Sequence, residues 1–267
     1  MAANAAFVGS IPTVYHRVLG PMWFQPYAAD LASRLHADKG AKVLEIAAGT
    51  GILTEELLKA MPVGAKLVAT DLNPPMLELA QARIRGNIEW RVADAMHLPF
   101  SGESFDAVAC QFGVMFFPDK AEGYREVLRV LKPGGRFIFN AWRSLEENAV
   151  VGMIARIVAE QFPKGAPIFI EVPYSYHIRD KIASDLRAGG IEIFDIEEVS
   201  IHTGTYWAEQ IAIGITQGMP LANQFEEHGI DGRSVAFEIE RGLIKEFGSD
   251  RIPMDLKAWV IQVLRKP

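Results

Sequence analysis

A chain of 267 residues with 49% apolar side chains can bury a large core, which excludes a disordered segment or a small disulfide-stapled module. Its 27 Lys and Arg fall short of its 33 Asp and Glu, a net charge of −6 with no basic run, which excludes a nucleic-acid footprint or a basic membrane-binding face. Its single cysteine, Cys110, excludes an internal disulfide or a cysteine metal cluster, and reads as a buried strand residue in a reducing compartment. MAANAAFVGS lacks a basic n-region, and no segment approaches a membrane span of about 20 apolar residues, so a cytoplasmic, soluble protein is expected.

In chain order, short β-type runs alternate with helical patterns, the rhythm of βαβ units and a parallel sheet. The first run, 42–46, precedes a helix with Leu53, Leu57 and Leu58 at helical spacing. The second, 66–70, ends at Asp71, and Asn73 is expected to cap a helix with Pro74 in its first turn and Met76, Leu77 and Ala80 buried. The third, 88–92, leads to Asp94, and the fourth, 105–110, to Gln111 and an apolar loop. Asp119 with Glu122 forms a capping-box variant, opening a helix that Lys132-Pro133-Gly134-Gly135 should stop before a fifth strand over 136–142. Helices are expected over 146–162, 180–188, 206–218 and 234–247, with strands over 191–201 and 256–265. The last two helices fill the long gap between those strands and read as a lid over the sheet edge.

In a doubly wound sheet the ligand lies beyond the carboxyl ends of the strands, which here carry Glu45, Asp71, Asp94 and Gln111 on one edge. VLEIAAGTG, 43–51, gives up side-chain bulk after Glu45, so its backbone can turn sharply and approach a ligand closely. A Gly-x-Gly turn with an acid 20 residues on, Gly51 to Asp71, also fits a nicotinamide dinucleotide. Charge separates the two readings. Glu45 would oppose two phosphates, and Thr54 stands where the dinucleotide turn wants Gly or Ala. S-adenosylmethionine has no phosphate and carries a sulfonium and an ammonium, so a rim of acids suits it.

The motifs VLEIAAGTG, VATDLNPPML, VADAMHLPFSGESFDAV and LRVLKPGGRF, in that order over 40–142, resemble the class I S-adenosylmethionine-dependent methyltransferases, in particular the ubiquinone and menaquinone C-methyltransferase group. The resemblance extends into YHRVLGPMWFQPYAADLA, 15–32, a helix that in such proteins lies against the cofactor. It implies an α/β fold: a doubly wound, seven-stranded, mostly parallel Rossmann-like sheet with a helical lid, its last strand inserted antiparallel. The domain is then single over 1–267, with N-terminal helices in 1–40, a cofactor-binding core in 41–142, lid insertions about 143–190 and 202–254, and final strands over 191–201 and 256–265.

The resemblance also implies site roles. Ala47, Ala48, Gly49, Thr50 and Gly51 pass under the methionine part of the cofactor, and Asp71 takes the ribose hydroxyls. Leu72 and Met76 flank the adenine, Asp94 accepts its amino group beside Ala95 and Met96, and Gln111 with Phe112 lies at the methionine end. Ala47 replaces the family's usual glycine, which is tolerable if the backbone there is not at positive φ.

Residues 112 and 115–117 either pack the sheet edge or line an acceptor site, for which Met115, Phe116 and Tyr176 are the candidates. Tyr15, His16 and His177 are the candidate bases, while His97 and His202 read as structural and His36 and His228 as exposed. No grouping has metal-ligand spacing, so metal-independent methyl transfer to a small, partly apolar or aromatic molecule is expected, by a monomer or homodimer without nucleic-acid or membrane partners. The alternatives are a nicotinamide-dependent oxidoreductase and a cofactor-binding protein without transferase activity.

Overall fold

The computed structural model describes residues 6–267, so the reading of residues 1–5 as free of a leader lies outside the described residues. Seven strands form one sheet: β1 Lys42–Ile46, β2 Lys66–Asp71, β3 Ile88–Val92, β4 Phe105–Cys110, β5 Leu131–Trp142, β6 Phe194–Trp207 and β7 Arg251–Leu264. Their order is β3-β2-β1-β4-β5-β7-β6, with β1 to β5 parallel and β7 antiparallel to both neighbours. This is the doubly wound sheet with an inserted antiparallel strand expected from the sequence. β1 and β4 sit at its centre, where Val43, Leu44, Ile46, Ala107, Val108 and Ala109 are buried, as near-continuous apolar runs must be when helices cover both faces. Connections leave β1 toward β2 on one side and β4 toward β5 on the other, so the crevice between β1 and β4 is the switch point where such folds bind ligands.

The helices are α1 Ile11–Val14, α2 Gln25–Arg34, α3 Ile52–Ala60, α4 Pro74–Arg83, α5 Lys120–Val130, α6 Ala149–Ala159, α7 Arg179–Ala188, α8 Ala208–Gln217, α9 Leu221–Glu227 and α10 Gly232–Phe247. Between α1 and α2 the chain runs as a π-helix, Tyr15–Phe24, with Pro21 inside it. The α5 cap is as expected, since the Asp119 side chain accepts from the Glu122 N–H at 2.9 Å. α10 buries Val235, Ile239 and Leu243, packs on α8 and α6, and α8 in turn packs on the π-helix. The expected lid is thus a helical layer resting on the N-terminal segment.

Three local expectations are corrected and one helix is added. Asn73 does not cap α4 with its side chain; its own N–H donates to Asp71 at 2.7 Å, and this turn launches the helix. The LKPGG segment does not separate α5 from β5 but opens β5, with a register irregularity in β4 between Phe105 and Ala107 absorbing the glycines. β6 and β7 extend past 201 and back before 256, because they pair out to Trp207 opposite Arg251, whose guanidinium lies 4.7 Å from the Trp207 ring centre, while β6 starts only at Phe194 and β7 ends at Leu264. The added helix, α9, lies between the two expected lid helices, in a span for which no element was expected.

Candidate functional site

The turn after β1 is shaped by its small residues. Ala47 has φ 55°, Gly49 56° and Gly51 83°, all left-handed, and α3 begins at once at Ile52. A side chain at Gly51 would place a Cβ 2.3 Å from Ile84 Cδ1, so glycine is required there both by φ and by the approach of α4. Ala47 is at positive φ after all. Its methyl group fits because the facing residue is Gly113, where an added Cβ would sit 2.5 Å from the Ala47 Cβ.

Two acids frame this turn. One Asp71 oxygen accepts the Gly49 N–H at 2.8 Å and the other accepts the Asn73 N–H at 2.7 Å, which ties the end of β2 to the glycine loop. Asn73 Nδ2 also donates to Asp71 Oδ1 at 3.3 Å, so of the roughly four acceptor positions of a carboxylate Asp71 keeps about one for a ligand hydroxyl. Glu45 accepts from Thr54 Oγ1 at 2.6 Å. Thr54, read in the sequence only as a departure from a dinucleotide turn, is therefore what orients Glu45.

Both acids are buried, Glu45 at 1% and Asp71 at 7% exposure, and neither has an ion-pair partner among the described residues. Burial pushes Glu45 up to about 8, opposed by the Thr54 hydrogen bond and reinforced by the Asp71 charge. Burial also raises Asp71, against the N–H bonds from Asn73 and Gly49. Two buried acids without a cation are costly alone and favourable beside a positively charged ligand. A pyrophosphate gains nothing from the same pair and is opposed by whichever acid is ionised. The site therefore fits S-adenosylmethionine and does not fit a dinucleotide.

Around this pair the structure gathers most of the expected cofactor residues. Tyr15, Phe24, Glu45, Ala47, Ala48, Gly49, Thr50, Ile52 and Gln111 line a narrow cleft at the end of β1. Beyond the β2 end, Met76 is buried with its Cε 3.5 Å from where a Gly49 Cβ would be, and Leu72 is 52% exposed. Ala93 donates its N–H to the Asp71 carbonyl, which brings the exposed Asp94 alongside Asp71; Asp94 accepts from the Met96 N–H, with Ala95 between them.

At the β4 end, Gln111 Nε2 donates to the Phe24 carbonyl at 2.8 Å, tying the π-helix to the sheet. Phe112 follows with φ 48°, a conformation that a bulky residue adopts only under constraint. Its N–H donates to Asn140 Oδ1 at 2.8 Å and its ring stacks on Trp142 with centroids 3.7 Å apart. Asn140, Trp142 and Phe24 were not read from the sequence as site residues. The signal available was an Asn inside FIFNAW, a polar side chain at a buried strand position.

The candidate bases are not brought together. Tyr15 lines the cleft, stacked on Phe24 at 4.8 Å, and burial and then the Asp71 charge raise its hydroxyl well above the usual range, so it stays protonated. His16 Nδ1 lies 3.1 Å from Thr50 Oγ1, and burial, Arg83 and Arg17 lower it to about 4, so its ring is neutral at pH 7. His177 lies elsewhere, its Nδ1 2.7 Å from the Tyr174 carbonyl and its own carbonyl accepting from Trp259 Nε1. Of the acceptor candidates, Met115 is buried under a loop pinned by Lys120 Nζ, and Phe116 stacks on Phe169. The Tyr176 hydroxyl bonds Tyr124 and Asp185 between α5 and α7, apart from the cleft lining. No group of three or more potential metal ligands occurs among the described residues.

Comparison with known proteins gives the family. The "Methyltransferase domain" family matches residues 44–139. A demethylmenaquinone methyltransferase of Corynebacterium kroppenstedtii is 43% identical over 177 residues, covering 65% of this chain and 68% of that relative. The chain belongs to the class I S-adenosylmethionine-dependent methyltransferases. A demethylmenaquinone methyltransferase of Lactiplantibacillus plantarum is 37% identical over 111 residues, 40% of this chain, so the chain matches about half of that relative's length, 47%. The fold extends well past the family match. A phosphoethanolamine N-methyltransferase 2 of Haemonchus contortus, solved with phosphomonomethylethanolamine and S-adenosylhomocysteine, superposes with a TM-score of 0.60 at 14% identity, over 96% of this chain and 57% of that one.

Proposed function

We propose that the chain is an S-adenosylmethionine-dependent methyltransferase whose acceptor is a small aromatic molecule bearing ring oxygens. The observation that carries this reading is the buried, unneutralised pair Glu45 and Asp71 at the switch point of a methyltransferase-family sheet. By their names, the two bacterial relatives methylate demethylmenaquinone, and the rings of Phe24, Phe112 and Trp142 beside Gln111 suit a flat acceptor of that kind.

Bound in the cleft, S-adenosylmethionine supplies a methyl group on a positively charged sulfur, open to in-line displacement by an electron-rich acceptor atom. The chain's own residues position and shield. Asp71 offers its remaining acceptor position to a hydroxyl, and Glu45, oriented by Thr54, holds positive charge. The small residues 47–51 let the backbone close on the ligand. The stacked pair of Tyr15 and Phe24, anchored through Gln111, covers the cleft against water. With the Tyr15 hydroxyl protonated and His16 neutral against Thr50, the contribution is alignment and exclusion of water more than proton removal. We place the protein in the cytoplasm, as a monomer or homodimer working without nucleic acid.

Incubation with methyl-tritiated S-adenosylmethionine and a panel of phenols and dihydroxynaphthalenes tests the reading. Label in a ring product is expected. Tight S-adenosylhomocysteine binding with no labelled product across the panel would instead mark a cofactor-binding protein that transfers nothing.

A further inference from the structure

Buried polar side chains normally find partners, so a cluster that does not is informative. Among the described residues four buried side-chain polar atoms have no hydrogen-bond partner: Trp23 Nε1, Asp30 Oδ2, Asn140 Nδ2 and Tyr174 OH. Asp30 Oδ2 is accounted for by the Arg34 guanidinium at 2.9 Å. The other three come from three separate elements, the π-helix, β5 and the 3₁₀ turn Phe169–Tyr174, and all surround one ring. The Trp142 ring centre lies 6.5 Å from that of Trp23 and 6.0 Å from that of Tyr174, while Asn140 precedes Trp142 by two on the same face of β5.

Trp142 ends β5 at the carboxyl edge of the sheet, the side on which the ligand cleft opens. Phe24 joins the two regions, since it lines the cleft and lies 6.2 Å from Trp142. Phe112, held in its left-handed conformation by Asn140, stacks on Trp142 within the same cluster. Strain and unpaired donors therefore meet at one place beside the methionine end of the cleft, and such costs collect where a ligand repays them. The chemistry is one-sided. An indole N–H and an amide NH₂ can only donate, and a tyrosine hydroxyl can donate, so the missing partner is an acceptor of hydrogen bonds within an aromatic enclosure.

We propose that Trp23, Asn140 and Tyr174 anchor the ring oxygens of the methyl acceptor, whose ring lies against the edges of the stacked Trp142–Phe112 pair and of Phe24. The inference rests on the methyl-transfer reading above and adds to it the residues that select an oxygenated ring over a plain hydrocarbon. Donors aimed at ring oxygens also favour their ionised form, which makes the neighbouring ring carbons richer in electrons.

Calorimetry with two probes of similar shape, 1-naphthol and 1-methylnaphthalene, separates the ring site from the cofactor site when S-adenosylhomocysteine is titrated independently. The wild type is expected to prefer 1-naphthol by about tenfold, the effect of one good charge-free to charge-assisted hydrogen bond. Trp23→Phe and Tyr174→Phe should each erode that preference and together bring it to within about threefold. S-adenosylhomocysteine affinity should stay unchanged; the thermal midpoint of Tyr174→Phe should be unchanged or higher, because a buried donor without a partner has been removed, while Trp23→Phe lowers it through the space the indole vacates. Equal binding of the two probes by the wild type, or a preference that survives both substitutions, overturns the proposal. Failure of S-adenosylhomocysteine to bind, with the naphthol preference present and lost in the variants, would leave the ring site standing and remove the methyl-transfer reading.

Discussion

Asp71 joins two tasks in one side chain, since it holds the glycine loop through the Gly49 N–H while keeping an acceptor position for a ligand. Asp71→Ala should therefore weaken S-adenosylhomocysteine binding by roughly 1.5 to 3 kcal/mol, about ten- to 150-fold, in a calorimetric titration. Unchanged affinity would contradict the placement of the cleft. Glu45 makes a pH prediction. Its carboxyl is ordinary in the unfolded chain, near 4.5, and lies at about 8 in the folded protein, so the free protein gives up stability as pH rises between those values. The slope is at most about 1.4 kcal/mol per pH unit, and Glu45→Gln should flatten it in urea unfolding curves. Binding of the cationic cofactor runs the other way, strengthening as Glu45 ionises toward pH 8, and in Glu45→Gln that rise should disappear. Ala47 carries strain at φ 55°, so Ala47→Gly should raise the urea midpoint, by about 1 kcal/mol in stability.

At the scale of elements, the two loops leaving β1 and β4 are built against each other. Gly113→Ala would drive a Cβ to 2.5 Å from the Ala47 Cβ and 2.7 Å from Cys110 Sγ. It should cost about 1 to 3 kcal/mol as overpacking, and Ala47→Gly in the same chain should recover more than the roughly 1 kcal/mol it gains alone, an excess that additive sites do not show. The half of the fold built from βαβ units was legible, because β1, β2 and β4 are short apolar runs with Glu45, Asp71 and Gln111 at their carboxyl ends, and the helices between them repeat apolar residues at helical steps. The ends of β6 and β7 were not. Most positions of β6 are exposed or half-buried, so its composition carries little strand signal, and Pro253 inside β7 reads as a break although it pairs opposite Thr205. The left-handed Phe112 and the π-helix were also hidden, since tertiary partners such as Asn140, Trp142 and α8 hold them and no local pattern announces them.

For the molecule as a whole, the acids Glu45, Asp71 and Asp94 reach one edge only because the sheet is parallel from β3 to β5 and its winding reverses between β1 and β4. That edge was legible in the sequence from strand endings alone. The acceptor side was not, because its walls come from the π-helix, β5 and the 3₁₀ turn Phe169–Tyr174, which are far apart in the chain. A surface of net charge −6 and a cleft with two buried acids agree in disfavouring phosphorylated ligands. The most direct test is a pair of calorimetric titrations at pH 8 on the wild-type protein, one with S-adenosylmethionine and one with NAD. Saturable binding of the sulfonium nucleoside, lost or much weakened in Asp71→Ala, with no heat from NAD, is the expected result; uptake of NAD with indifference to S-adenosylmethionine would contradict it.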